Sequence, residues 1–193
     1  ASGGVEQQVP GLAVDPVGRT AYVVGGERVF PVDLRTLAVT DRGPVRSLAK
    51  RSAGATRSAE WLGNGRLAVS GENWDPEAGN VPAGLEIVDV RSRRARVVDR
   101  SASRFTVAAG RILVERRLGG RALAVVAYGL DGRELYRLEL DWAVWMKKQG
   151  RLGYACRDAF LRSVVDLQSG RVLRTGFPAD TRCPTLLTED SRG

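Results

Sequence analysis

The sequence predicts an all-β fold: a β-propeller with about four four-stranded blades. Three observations carry this. A hairpin of apolar strands around a Gly-Arg turn recurs four times. A second hairpin follows each first one, so each repeat holds four strands. No stretch carries the 3.6-residue apolar period of a long amphipathic helix.

The first hairpins are "LAVDPVGRTAYVV" (12–24), "AEWLGNGRLAVS" (59–70), "FTVAAGRILVE" (105–115) and "AVWMKKQGRLGYA" (143–155). Their turn glycines, Gly18, Gly65, Gly110 and Gly150, are spaced by 47, 45 and 40 residues. Glycine suits such turns because it takes positive φ without a Cβ clash. The second hairpins are "RVFPVDLRTLAVTD" (28–41), "LEIVDVRSRRARVVD" (85–99), "LAVVAYGLDGRELYRLEL" (123–140) and "LRSVVDLQSGRVLRT" (161–175). Asp33, Asp89 and Asp166 end the third strands and Asp131 lies in the equivalent turn, each placed to accept bonds from the turn backbone. Four strands at a period near 45 match a propeller blade. The blade units run approximately 11–44, 59–100, 104–140 and 142–176 within a single domain or propeller portion of 1–193, and "TRCPTLL" (181–187) reads as an extra strand. The segment 45–58, "VRSLAKRSAGATRS", reads as a loop.

The first repeat resembles the YVTN-type propeller repeat, on Asp15, Pro16, Gly18, Arg19, Tyr22 and Val23, then Val32, Asp33 and Thr36. The other repeats keep the Gly-Arg turn and lose the Asp-Pro. Quinoprotein-like propellers share the pattern. The resemblance implies fold more than activity. Repeats of this type more usually form rings of six to eight blades. The chain therefore either closes on itself as four or five blades or forms part of a larger propeller, with missing blades or self-association covering an exposed face. The absent initiator Met favours a processed or excised chain.

The composition narrows the chemistry. The net charge is +8, almost all from Arg, with Lys only at 50, 147 and 148. The arginines are scattered through the turns and no nucleic-acid module is present, so nucleic acid is not the expected partner. No apolar run is long enough to span a membrane. There is no histidine, which removes the usual general base, the usual zinc ligand and the Ser-His-Asp triad. Catalytic residues are not identified.

"GENWDPEAGNVPAG" (71–84) interrupts the second repeat between its second and third strands, where the other repeats have short connections. Glu72, Asn73, Trp74, Asp75, Glu77 and Asn80 make it a candidate partner-binding loop. Trp74 beside hydrogen-bonding side chains suits a protein or sugar contact. An equally simple reading packs Trp74 on its own blade. Carboxylates and amides also suit calcium, although the spacing is not that of an EF-hand, and no metal ligand set is assigned. No cofactor is expected. Arg116, Arg117 and Arg121 form a candidate anion site, or pair with carboxylates on the surface. Trp142 and Trp145, three apart, face opposite sides if they share a strand, one to the core and one to the rim. Cys156 and Cys183 fall in neighbouring strands. The expectation is a disulfide between them, and with it an oxidising compartment; the alternative is two buried thiols.

The expectation is a non-catalytic, extracytoplasmic binding module presenting loops to a protein or glycan. The alternatives are a propeller enzyme (lyase, hydrolase or quinoprotein-like oxidoreductase) with an axial site, and a structural subunit of a larger assembly.

Overall fold

A computed structural model of the chain describes residues 8–49, 54–118 and 122–185. The described residues are strands and turns with no helix. They divide into two compact units, Ala1–Phe105 and Thr106–Gly193.

The first unit holds β1 (Gln8–Val9), β2 (Gly11–Asp15), β3 (Thr20–Val24), β4 (Val29–Asp33), β5 (Ala55–Gly63), β6 (Arg66–Asp75), β7 (Gly79–Pro82), β8 (Leu85–Asp89) and β9 (Arg94–Asp99). One antiparallel sheet runs β2-β3-β4; the other runs β1-β5-β6-β8-β9, with β7 paired to β6 and β1 parallel to β5. Their shared core is Ala13, Tyr22, Val24, Val29, Leu67, Val69 and Val88. Tyr22 and Trp61 stack beside it, with ring centroids 5.4 Å apart and planes 8° from parallel. Offset aromatic stacking adds specificity to what is otherwise area burial.

The first repeat departs from the expected four strands. "AVTD" pairs with β4 only through an isolated bridge, Val32 to Val39, and further on Val45 bridges Arg28, just ahead of β4. Pro31 supplies the reason. Its carbonyl accepts from Thr40 N–H at 2.9 Å, so its nitrogen faces the same outer side, where a ladder needs a donor that proline lacks. The segment 45–58 also departs from a loop: β5 begins at Ala55, ahead of the expected start at 59.

The second unit holds two four-stranded antiparallel sheets in simple sequence order. One is β10 (Thr106–Ala108), β11 (Arg111–Leu118), β12 (Ala122–Tyr128) and β13 (Glu134–Asp141); the other is β14 (Trp145–Gln149), β15 (Leu152–Arg157), β16 (Phe160–Asp166) and β17 (Arg171–Thr175). Residues from both sheets, among them Leu113, Val125, Leu140, Met146, Val165 and Leu167, form one core. The alternation of strand residues delivers these side chains inward.

The turns follow their chemistry. Asn64-Gly65 and Ala109-Gly110 take positive φ at both residues, the condition for a two-residue hairpin whose twist suits the strands. In the first repeat the positive φ falls on Arg19, because Asp15 Oδ1 accepts from Val17 and Gly18 N–H at 3.1 and 3.0 Å and shapes a longer turn. Asp33, Asp89, Asp131 and Asp166 each accept backbone N–H groups two or three residues on, at 2.7–3.3 Å.

Residues 181–185 do not form the extra strand. They attach to the start of β16 through a Phe160–Arg182 bridge and a Cys183 N–H to Ala159 carbonyl bond of 2.7 Å; 186 and 187 lie outside the described residues. Cys156 and Cys183 form a disulfide with Cα atoms 6.1 Å apart.

Candidate interaction site

The insertion is a β-hairpin rather than the loop expected. β6 continues beyond its pairing with β8, which covers Arg66–Val69, and pairs with β7 instead, setting Glu72 opposite Pro82 and Asp75 opposite Gly79. The junction needs glycine. Gly71 has φ +152°, and a Cβ there would lie 1.9 Å from the Thr56 carbonyl oxygen. The same residue's carbonyl accepts from Ala83 N–H at 2.8 Å, closing the hairpin base. At the tip, Asp75 Oδ1 accepts from Glu77 and Ala78 N–H at 2.9 and 3.0 Å, and Gly79 takes φ +72°. Asp75 is thus a turn former.

The six candidate residues divide by role. Asn73 is buried and Trp74 is 45% exposed. Glu77 and Asn80 are exposed, and Glu72 and Asp75 are partly buried. Asn73 and Trp74 alternate along β6, so one anchors inward while the other faces out. Trp74 N–H donates to the Gly54 carbonyl at 2.9 Å, fixing its backbone to the chain leading into β5. Among the described residues no group of three or more acidic or cysteine side chains is gathered where a metal could sit.

The anchor is Arg57, on β5 opposite Gly71. Its Nη1 donates to the Thr56 and Glu72 carbonyls, both at 2.8 Å, and its Nη2 donates to Asn73 Oδ1 at 2.6 Å and more weakly to the Gly26 carbonyl at 3.4 Å. Arg57 is only 5% exposed. Burial, then the neighbouring Arg46 charge, lowers its pKa to about 10, with Glu86 opposing the shift. It remains charged at neutral pH. Close by, Glu86 is fully buried and accepts from Arg46 Nε at 2.7 Å, Leu48 N–H at 2.8 Å and the Ser47 hydroxyl. Buried charges persist where they are paired and hydrogen-bonded.

Sequence reasoning missed this network. Arg57 alternates inward with Ala55 on a segment read as a loop. Glu86 is a charged residue inside the buried run Leu85–Val88. An acid in a strand apolar on both faces was the available signal.

The arginine group on β11 looks different from a single anion site. Arg116 and Arg117 are consecutive on a strand and therefore point to opposite faces, and Arg117 Nε donates to the Val144 carbonyl at 3.3 Å. Arg121 lies outside the described residues. Trp142 and Trp145 do not share a strand either: β14 begins at Trp145, and Trp142 sits before it at φ +58°. Trp142 is exposed, Trp145 is partly buried, and Ala143 and Met146 take the core positions.

No family model matches the chain, and no curated protein matches it. Solved structures do. The AfRom2 CNH domain matches with TM-score 0.55 and 10% identity, over 85% of this chain and 53% of that one. The WD40 domain of SCAP from fission yeast matches with TM-score 0.51 and 9% identity, over 87% of this chain and 42% of that one. The fold is that of a β-propeller. The extracellular domain of a one-component system from B. thetaiotaomicron also matches, with TM-score 0.52 and 13% identity, over 90% of this chain and 24% of that one. The chain spans about half or less of the length of these solved chains. At such identities the likeness concerns fold alone. No helix among the described residues is long and apolar enough to cross a membrane.

Proposed function

We propose that the chain is a non-catalytic propeller interaction module, or a portion of one, that presents the 71–83 hairpin to a protein or glycan outside the cytoplasm. One observation carries the reading: Trp74 stands exposed on a hairpin whose base is clamped by the buried Arg57. A large ring held rigidly at the surface loses little entropy on binding, which is what makes Trp an effective anchor at interfaces. Glu72, Glu77 and Asn80 supply polar contacts around it, with Asn73 and Asp75 holding the hairpin's shape. The disulfide supports an oxidising compartment. The YVTN-type resemblance of the first repeat fits the same location.

The test is a glycan array together with photo-crosslinking from residue 77 in extracytoplasmic extract, each run on the wild type and on Trp74→Ala. The reading expects a glycan or one dominant crosslinked protein whose binding, remeasured with the purified component, weakens at least tenfold in Trp74→Ala. A purified component bound equally well by both proteins would reject the hairpin as the binding element.

A further inference from the structure

The second unit carries a groove of about 420 Å³ between β13 of one sheet and β16–β17 of the next. Its volume lies in the range of small-molecule sites. Trp142 and Phe177 line it, with Glu139, Asp141, Arg162, Ser163 and Thr175. Ser163 and Thr175 are opposite each other across β16 and β17, so their hydroxyls share one face of the sheet.

These polar groups are unused by the fold. Ser163 is 6% exposed, and its hydroxyl has no hydrogen-bond partner among the described residues. Arg162 Nε is buried and likewise without a partner. Glu139 and Asp141 form no ion pair among the described residues, in a chain of net charge +8. A buried polar atom left without a partner, as Arg162 Nε is, calls for a ligand or water. Trp142 is 53% exposed at φ +58°, a conformation uncommon for a bulky residue, with the Arg157 guanidinium 5.5 Å from its ring centroid.

The groove offers donors and acceptors of both charge signs beside two rings. An anion would meet Glu139 and Asp141; a cation would meet Arg162. A neutral molecule rich in hydroxyls satisfies both, and the C–H face of a sugar ring packs on an aromatic side chain. We infer that this groove is a binding site for a neutral saccharide, separate from the hairpin.

The test is saturation-transfer NMR and fluorescence titration of the full chain with cellobiose, maltose and N,N′-diacetylchitobiose. Inorganic phosphate and a lysine-rich peptide serve as charged competitors. At least one disaccharide is expected to bind at millimolar strength or better, and to lose at least tenfold in Asp141→Asn and in Trp142→Ala. Trp74→Ala should leave that binding unchanged. Thr175→Val, at an exposed position, tests the site without disturbing the core should Trp142→Ala unfold. The proposal is overturned if no disaccharide binds, if binding survives Asp141→Asn and Thr175→Val, or if either charged competitor binds more tightly at these residues. Saccharide binding that moves with Trp74 and not with Asp141 also overturns it, while leaving the hairpin reading intact.

Discussion

Arg57 Nη2 donates to Asn73 Oδ1 across 2.6 Å, joining the inner strand β5 to the base of the projecting hairpin. The same guanidinium holds the Glu72 carbonyl at 2.8 Å. One buried side chain therefore fixes two consecutive residues just before Trp74. Asn73→Ala would leave Nη2 with only its long contact to Gly26. The expected cost is about 1–3 kcal/mol, the range for a buried donor deprived of its acceptor, measured as a shift in the urea midpoint.

Gly71 is the second determinant of the hairpin. Any Cβ there meets the Thr56 carbonyl at 1.9 Å, a backbone atom that cannot move without breaking the β5–β6 pairing. Gly71→Ala is expected to destabilise by about 3 kcal/mol, the upper part of the usual range for single substitutions. Gly79→Ala, where nothing lies within 4 Å of the added Cβ, should cost about 1 kcal/mol from its φ alone. Chemical denaturation of both variants measures the difference.

The repeated strands and turns were legible because their signals are local. Asp33, Asp89 and Asp166 bond residues two or three positions away, and Asn64-Gly65 needs only its own backbone. The hairpin at 71–83 was not legible, because "GENWDPEAGN" lacks the apolar alternation of a strand and its base is held by Arg57, outside the stretch. Pro31 could have been read: a proline within a strand warns that the neighbouring strand will be weak. The Trp142 groove was hidden for another reason. It is assembled by strands of two sheets, and no window of sequence contains it.

Acid should unfold the protein by titrating the turn aspartates. Backbone N–H groups of Thr36 and Arg35 hold Asp33 below its ordinary 3.8, Ser92 does so first for Asp89, and the Arg151 guanidinium does so most strongly for Asp166. A depressed folded pKa gives stability that is complete above the unfolded value and lost as pH falls through the folded one. Stability should therefore change little near neutrality as far as these groups are concerned, and fall below about pH 4. Asp89→Asn keeps the turn's acceptor and removes the titration, so its acid loss should be shallower. Urea midpoints measured from neutral to acid pH would show this.

The Cys156–Cys183 disulfide ties residues 27 apart in sequence, fastening Cys183 to β15 beside the backbone bonds that attach 181–185 to the start of β16. Replacing both cysteines with alanine should cost about 3 kcal/mol through the freed unfolded chain. Limited proteolysis should then cut after β17 before any other site. An unchanged melting temperature and cleavage pattern would show that the bridge contributes nothing to holding this segment.

The 71–83 segment is a rigid platform held by Arg57, and amide hydrogen exchange tests this. In the wild type, the paired amides of β6 and β7 should be protected alongside β8, and Arg57→Met should release the hairpin amides while β8 and β9 stay protected. Rapid exchange of the hairpin in the wild type, or protection that Arg57→Met leaves untouched, would show that Arg57 does not hold a rigid hairpin.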